Sequence, residues 1–237
     1  MNVYETAVKI IRPFAQVYHR LETSGTENIP ADGTGFVIAA NHTNWFGWDA
    51  MMISASMPDR KIKWVAWSDP EKMPGWHKQV VAFDCIVHNK KMKFPYEQIS
   101  SEVSGGGVVG MFPEGSNNTV FDWYRLRPFI PGCVKLAAMS GAPILPVSVA
   151  GVEEASPIFW IGEADGEAPS ELFALPALFP TKVTVRIGNP IDVKLRPEQI
   201  EDKDALRAEA EKIRAAVLNL LKTDRPKAYA QQCRFSR

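Results

Sequence analysis

No run of eighteen apolar residues occurs in this 237-residue sequence, so no single helix is expected to span a bilayer. The opening residues are charged and amphipathic and show no signal-peptide core or cleavage site. Cysteine is sparse. Cys85, Cys133 and Cys233 are an odd number at wide spacing, with no CxxC pair and no histidine at zinc-finger distance. Free or buried thiols in a reducing compartment are expected, with no metal site. An excess of charge is missing as well. Lys plus Arg and Asp plus Glu both total 27, which removes the overall basic field that nucleic-acid binding needs. Attraction to anionic lipid is left to local clusters. There is no internal repeat, no low-complexity tract and no Gly-x-Ser-x-Gly elbow, and neither Ser116 nor Ser140 sits as a serine nucleophile would.

What is present is the composition of one sizeable core: 46% hydrophobic and 23% charged residues. The segment from Val3 to about Glu22 places Val3, Ala7, Ile10, Ile11, Phe14, Val17 and Tyr18 at helical period. Pro13 is expected to kink or divide it, and Lys9, Arg12, His19 and Arg20 give a cationic flank. Such a helix either lies in a membrane interface or packs on the protein's own core. Buried strands are predicted at Phe36–Ala40, Ile62–Trp67, Val80–Val87, Val108–Phe112 and Ile144–Val149, and a half-exposed one at Val183–Ile187. Helices are predicted at Ala50–Met57, Pro95–Val103 and Gly132–Ser140, and from near Pro197 with Leu206, Ala210, Ile213, Val217 and Leu220 on one stripe. The alternation implies an α/β fold: a single domain with a mixed, mostly buried sheet flanked by helices. Residues 152–180, rich in Pro, Gly and Ala, read as an insertion between two strands. The organisation expected is an N-terminal amphipathic, membrane-associating helix (1–22), a main domain (23–223) and a basic tail (224–237).

Two clusters carry chemistry. Asn41-His42-Thr43-Asn44-Trp45-Phe46-Gly47-Trp48-Asp49 follows the first buried strand, where a histidine faces a cleft and a nearby aspartate can hold one ring nitrogen. A structural histidine, and an Asp49 that merely caps the next helix, are the plainer alternatives. The second cluster is Phe112-Pro113-Glu114-Gly115-Ser116-Asn117. Gly115 allows close backbone approach, Ser116 can donate or accept, and Glu114 can orient a hydroxyl or a cation; Pro-Glu-Gly is also simply a good turn. The formal G-x-G-x-x-G at residues 105–110 has no strand before it and does not suit a dinucleotide.

Taken in order, these segments resemble the glycerolipid acyltransferase family, which includes the 1-acylglycerol-3-phosphate acyltransferases. The features are a lead-in at Gly25–Pro30, Asn41-His42, Cys85–Asn89 where the family has a strand ending in arginine, and Phe112–Ser116. Pro128-Phe129, Gly132, Pro143–Val147 and Ile187–Ile191 complete the set, which covers about residues 22 to 195. The resemblance implies transfer of a fatty acyl chain from acyl-CoA or acyl-carrier protein to a lyso-lipid hydroxyl, on a membrane surface at the cytoplasmic side, with no cofactor. His42 takes the place of the family's general base. The family's orienting aspartate falls after four intervening residues, where this sequence has Gly47, so Asp49 is the nearest carboxylate. Glu114, Gly115, Ser116, Asn117, Asn89, Lys90 and Arg125 are the implied substrate-binding positions. Two of them, Asn89 and Asn117, stand where phosphate-holding members have arginines, and asparagine offers no bidentate charged grip. Lys90, Lys91, Arg125 or Arg127 would compensate, or the acceptor is not a simple phosphate monoester but a lyso-lipid with a different headgroup or another hydroxyl or amine. A catalytically impaired lipid-binding or scaffolding homologue is the alternative. Trp45, Phe46, Trp48 and Trp76 are candidates to line an acyl tunnel or rest on the membrane.

Overall fold

Phe36–Ala40 is buried at every residue and forms the middle strand of a seven-stranded sheet. A computed structural model describes residues 2–44, 46–89, 91–161, 172–174 and 178–230. In chain order the first elements are α1 (Val3–Tyr18), β1 (Glu22–Ser24), β2 (Phe36–Ala40), α2 (Trp48–Ser56), β3 (Ile62–Trp67), α3 (Pro74–Ala82), β4 (Ile86–His88) and α4 (Tyr96–Ser104). They continue as β5 (Val108–Met111), α5 (Gly132–Ser140), β6 (Ile144–Ala150), α6 (Val152–Ala155), β7 (Ile158–Ile161), β8 (Leu172–Ala174), β9 (Thr184–Ile187) and α7 (Lys203–Asp224).

The strand order is β1-β9-β6-β2-β5-β3-β4. All neighbours are parallel except β6 and β9, so the sheet is mixed, as expected. The central strands β2 and β5 are apolar throughout because helices cover both faces. Val37, Ala39 and Val109 meet Ile99, Leu136, Ile213 and Val217 from α4, α5 and α7 on one side. Phe36, Ile38, Leu145 and Val147 meet Ala15, Met52 and Ile53 from α1 and α2 on the other.

Four expectations need correction. Residues 80–87 are not one strand: Pro74 starts α3, Asp84 turns the chain at φ 58°, and only Ile86–His88 pairs with β3. Proline at a helix's first position costs no hydrogen bond, so α3 could begin there. Pro13 does not divide α1, which runs unbroken while burying Tyr4, Val8 and Ala15. One lost backbone bond is outweighed by that packing. The last helix starts not at Pro197 but at Lys203, where Asp202 accepts from the amides of Asp204 and Ala205. Its buried stripe ends on Leu221 rather than Leu220. His19, read as part of a cationic flank, is completely buried.

The insertion expected at 152–180 holds α6 and the antiparallel β7–β8 pair among the described residues, between the neighbouring strands β6 and β9. Trp45, Lys90 and Cys233, parts of that insertion and the end of the C-terminal tail lie outside the described residues. No helix among the described residues is long and apolar enough to cross a membrane.

Candidate active site

The C-terminal ends of β2 and β5 lie side by side, with Ala39 opposite Met111. Carried three residues further, that register sets His42 beside Glu114. The main-chain amide of His42 indeed donates to Glu114 Oε1 at 2.7 Å, and the amide of Arg127 donates to Oε2 at 2.8 Å. Clefts at the carboxyl ends of parallel strands are where α/β sheets bind ligands. On the other flank, Asn41 continues the ladder with its side chain: Nδ2 donates to the Val149 carbonyl at 2.7 Å and Oδ1 accepts from the Val149 amide at 2.8 Å. Both the first residue of the loop and its histidine are therefore tied to neighbouring strands.

The loop from 42 to 49 solves the shifted spacing. Asn44 Oδ1 accepts from the amides of Phe46 and Trp48, and Gly47 at φ 71° turns the chain into α2. A side chain at Gly47 would be strained in that left-handed conformation. Asp49 then points back from the first turn of α2, wholly buried, and its Oδ2 lies 2.7 Å from His42 Nδ1. The same oxygen accepts from the amides of Thr43 at 2.9 Å and Asn44 at 3.1 Å. A carboxylate only accepts, so the His42 proton sits on Nδ1 and leaves Nε2 with a lone pair. Among the described residues, Nε2 has no hydrogen-bond partner, and the His42 side chain is 20% exposed.

The positions that the resemblance implies for substrate binding differ in how far they face solvent. Gly115 and Ser116 are exposed. Glu114 is buried with both oxygens committed to main-chain amides, so it joins two loops rather than reaching outward. Asn89 is also buried: Nδ2 donates to the Ser68 carbonyl and Oδ1 accepts from the Lys91 amide, a turn-forming pattern. Asn117 is buried, and among the described residues its Oδ1 has no hydrogen-bond partner. Arg125 has a 40% exposed side chain beside Asp122, at 3.3 Å. Trp48 donates its ring N–H to His19 Nε2 at 3.1 Å, and Trp76 donates to the Trp67 carbonyl at 2.9 Å. Phe46 is half exposed on the loop itself.

The sequence offered no role for three further residues. Asn41 and Asn44 act through side-chain mimicry of backbone pairing, which no spacing announces. Phe112 stacks on the His42 ring, centroids 4.2 Å apart and planes 9° from parallel. Its position immediately after β5, one strand over from the histidine, was the available signal.

Behind the loop lies a small cavity lined by Asn41, Thr43, Glu114, Glu153 and Tyr229. Burial pushes the carboxyls of Glu114 and Glu153 up to about 7. Both bind protons more tightly folded than unfolded. The stability they contribute is therefore present below about pH 4.5 and is lost as pH climbs through about 7. We expect the thermal midpoint to fall between those limits, and Glu153→Gln to flatten a large part of the fall. Equal slopes in wild type and variant would show that Glu153 does not titrate there. Burial likewise pushes the thiols of Cys85 and Cys133 up, to about 11 and about 12, so neither is a nucleophile at neutral pH. Among the described residues no cluster of His, Cys, Asp and Glu could hold a metal.

A family model described as Acyltransferase matches residues 20–150. An uncharacterized protein of Mycobacterium tuberculosis strain H37Rv is 28% identical over 203 residues, which are 80% of this chain and 52% of that protein. This chain thus spans about half the length of the mycobacterial relatives it matches. A 1-acyl-sn-glycerol-3-phosphate acyltransferase of Bacillus subtilis is 28% identical over 166 residues, covering 66% of this chain and 74% of that enzyme. The crystal structure of the 1-acyl-sn-glycerophosphate (LPA) acyltransferase PlsC from Thermotoga maritima superposes with a TM-score of 0.61 at 19% identity. It covers all of this chain and 86% of that one, a likeness of fold.

Proposed function

This chain belongs to the acyltransferase family, and from that premise we propose that it moves a fatty acyl chain from a thioester to a hydroxyl of a lysophospholipid or glycerol-phosphate-like acceptor. The donor is acyl-CoA or acyl-carrier protein. One observation carries the reading: His42 Nδ1 is held by Asp49 at 2.7 Å while, among the described residues, Nε2 is left unengaged at the strand ends. Nε2 takes the proton of the acceptor hydroxyl as that oxygen bonds to the thioester carbonyl carbon. The C–S bond then breaks, and the imidazolium returns its proton to the departing sulfur. Asp49 keeps the useful tautomer and faces the positive charge that forms. No enzyme nucleophile is needed, because the thioester is already activated. The named activity of the Bacillus subtilis relative supports this class of acceptor.

The acceptor's headgroup is the finer question. With Asn89 engaged in a turn and Asn117 buried, Arg125, whose side chain is 40% exposed, is the cation we assign to it. The test is loss of acyl-CoA or acyl-carrier-protein thioester with a panel of lyso-lipids differing in headgroup. No transfer with any donor and acceptor would favour the impaired lipid-binding alternative.

We further propose peripheral membrane binding at the cytoplasmic side through α1. Val3, Ile10, Phe14 and Val17 are exposed on it, Val17 at 82%, while Tyr4, Val8 and Ala15 pack inward. Deleting the helix would uncover the core, so the informative change is Ile10→Ser with Val17→Ser. Losing two apolar side chains from an interface should weaken liposome co-sedimentation roughly tenfold or more, with the fold intact. Unchanged binding to vesicles containing anionic lipid would remove α1 as the anchor.

A further inference from the structure

We propose that Phe112 and Trp64 are positioning residues for the base, forming a stacked column that holds the His42 ring from the face Asp49 cannot reach. This rests on His42 being the general base. The His42 and Phe112 centroids are 4.2 Å apart at 9°, and Phe112 lies 4.8 Å from Trp64 at 10°, so the three rings are nearly parallel. The far end of the column is fixed. Trp64 is 5% exposed, and its ring N–H donates to the hydroxyl of Ser54 at 3.0 Å. The strand beneath leaves room for it only because residue 110 is glycine: a Cβ there would lie 2.5 to 2.8 Å from ring atoms of Trp64. Ser54 and Asp49 both belong to α2, so a single helix restrains the imidazole twice. One restraint is a hydrogen bond in the ring plane. The other is a chain of ring faces perpendicular to it.

An in-plane hydrogen bond fixes Nδ1 but allows the ring to rotate about that contact. A stacked face removes the remaining freedom and aims Nε2. It also presents π density to the imidazolium formed when the proton is taken, a contact that strengthens with the developing charge. Sequence patterns alone place Phe112 at the end of one buried strand and Trp64 within another.

The test compares Phe112→Leu, Phe112→Tyr and wild type for kcat and KM of thioester-dependent acyl transfer. The His42 ring-proton NMR resonances are recorded alongside. Phe112→Leu should lower kcat roughly 3- to 30-fold with KM nearly unchanged, the range expected for losing a ring face beneath a cation. Phe112→Tyr should restore most of that loss. The upfield ring-current shift of the His42 protons should vanish in the leucine variant and persist in the tyrosine one. Equal kcat in wild type and Phe112→Leu, a rise in KM alone, or equal loss in both variants would overturn the positioning role. An inactive wild type whose ring-current shift is present would instead overturn the function and, with it, the column's part in catalysis.

Discussion

His42→Ala is expected to lower acyl transfer by on the order of 10²–10⁴, the usual cost of removing a general base. The loss should fall on turnover and not on folding. The side chain is partly exposed, and its removal leaves Asp49 Oδ2 with two main-chain donors, from Thr43 and Asn44. The lipid binding proposed for α1 rests on separate residues and should persist. The measurement is the initial rate of thioester loss with a lyso-lipid acceptor, beside liposome co-sedimentation of the same preparation. Near-normal turnover in the variant would sink the mechanism.

Asp49→Asn should cost comparably, on the order of 10⁴, as when the orienting aspartate of a serine-protease triad is replaced. The geometry adds a second effect. Every partner of this carboxylate is a donor: His42 Nδ1, the amides of Thr43 and Asn44 on one oxygen, and the amide of Ala50 on the other. An asparagine must turn its NH₂ toward one of those groups. If it faces His42, the ring is pressed into the tautomer that carries its proton on Nε2, which cannot accept. If it faces Ala50, a buried amide loses its partner at roughly 1–3 kcal/mol. The variant should therefore lose most of its rate and also melt at a lower temperature. Full activity with a lowered melting temperature would reduce Asp49 to an organiser of the loop.

Much of the fold was readable because the central strands β2 and β6 are buried on both faces. Phe36–Ala40 stands out as a continuous apolar run and Ile62–Trp67 as an apolar run interrupted at Lys63, and each forms a strand over that same span. The reading failed where burial is partial. Val80–Val87 mixes the end of α3 with the start of β4, and most of the segment is half exposed or exposed, so apolar content alone could not separate a helix from a strand. The β7–β8 pair was missed because its partners lie in a segment whose Pro, Gly and Ala content reads as a loop.

The sequence by itself singled out the candidate residues for the chemistry, because a histidine at a strand end and a Pro-Glu-Gly turn are local facts of order and residue type. It could not determine what those residues touch. That Asp49 reaches His42 across the place where Gly47 stands depends on the path of a loop bound by Asn44, which follows no period. That Glu114 faces inward depends on two parallel strands standing in register, a contact 72 residues apart in the chain. The stacking of Phe112 between His42 and Trp64 likewise exists only once β2, β5 and β3 are neighbours. Side-chain periodicity reports which face of an element is buried. Only the packed sheet decides which ring, amide or carboxylate waits on the other side.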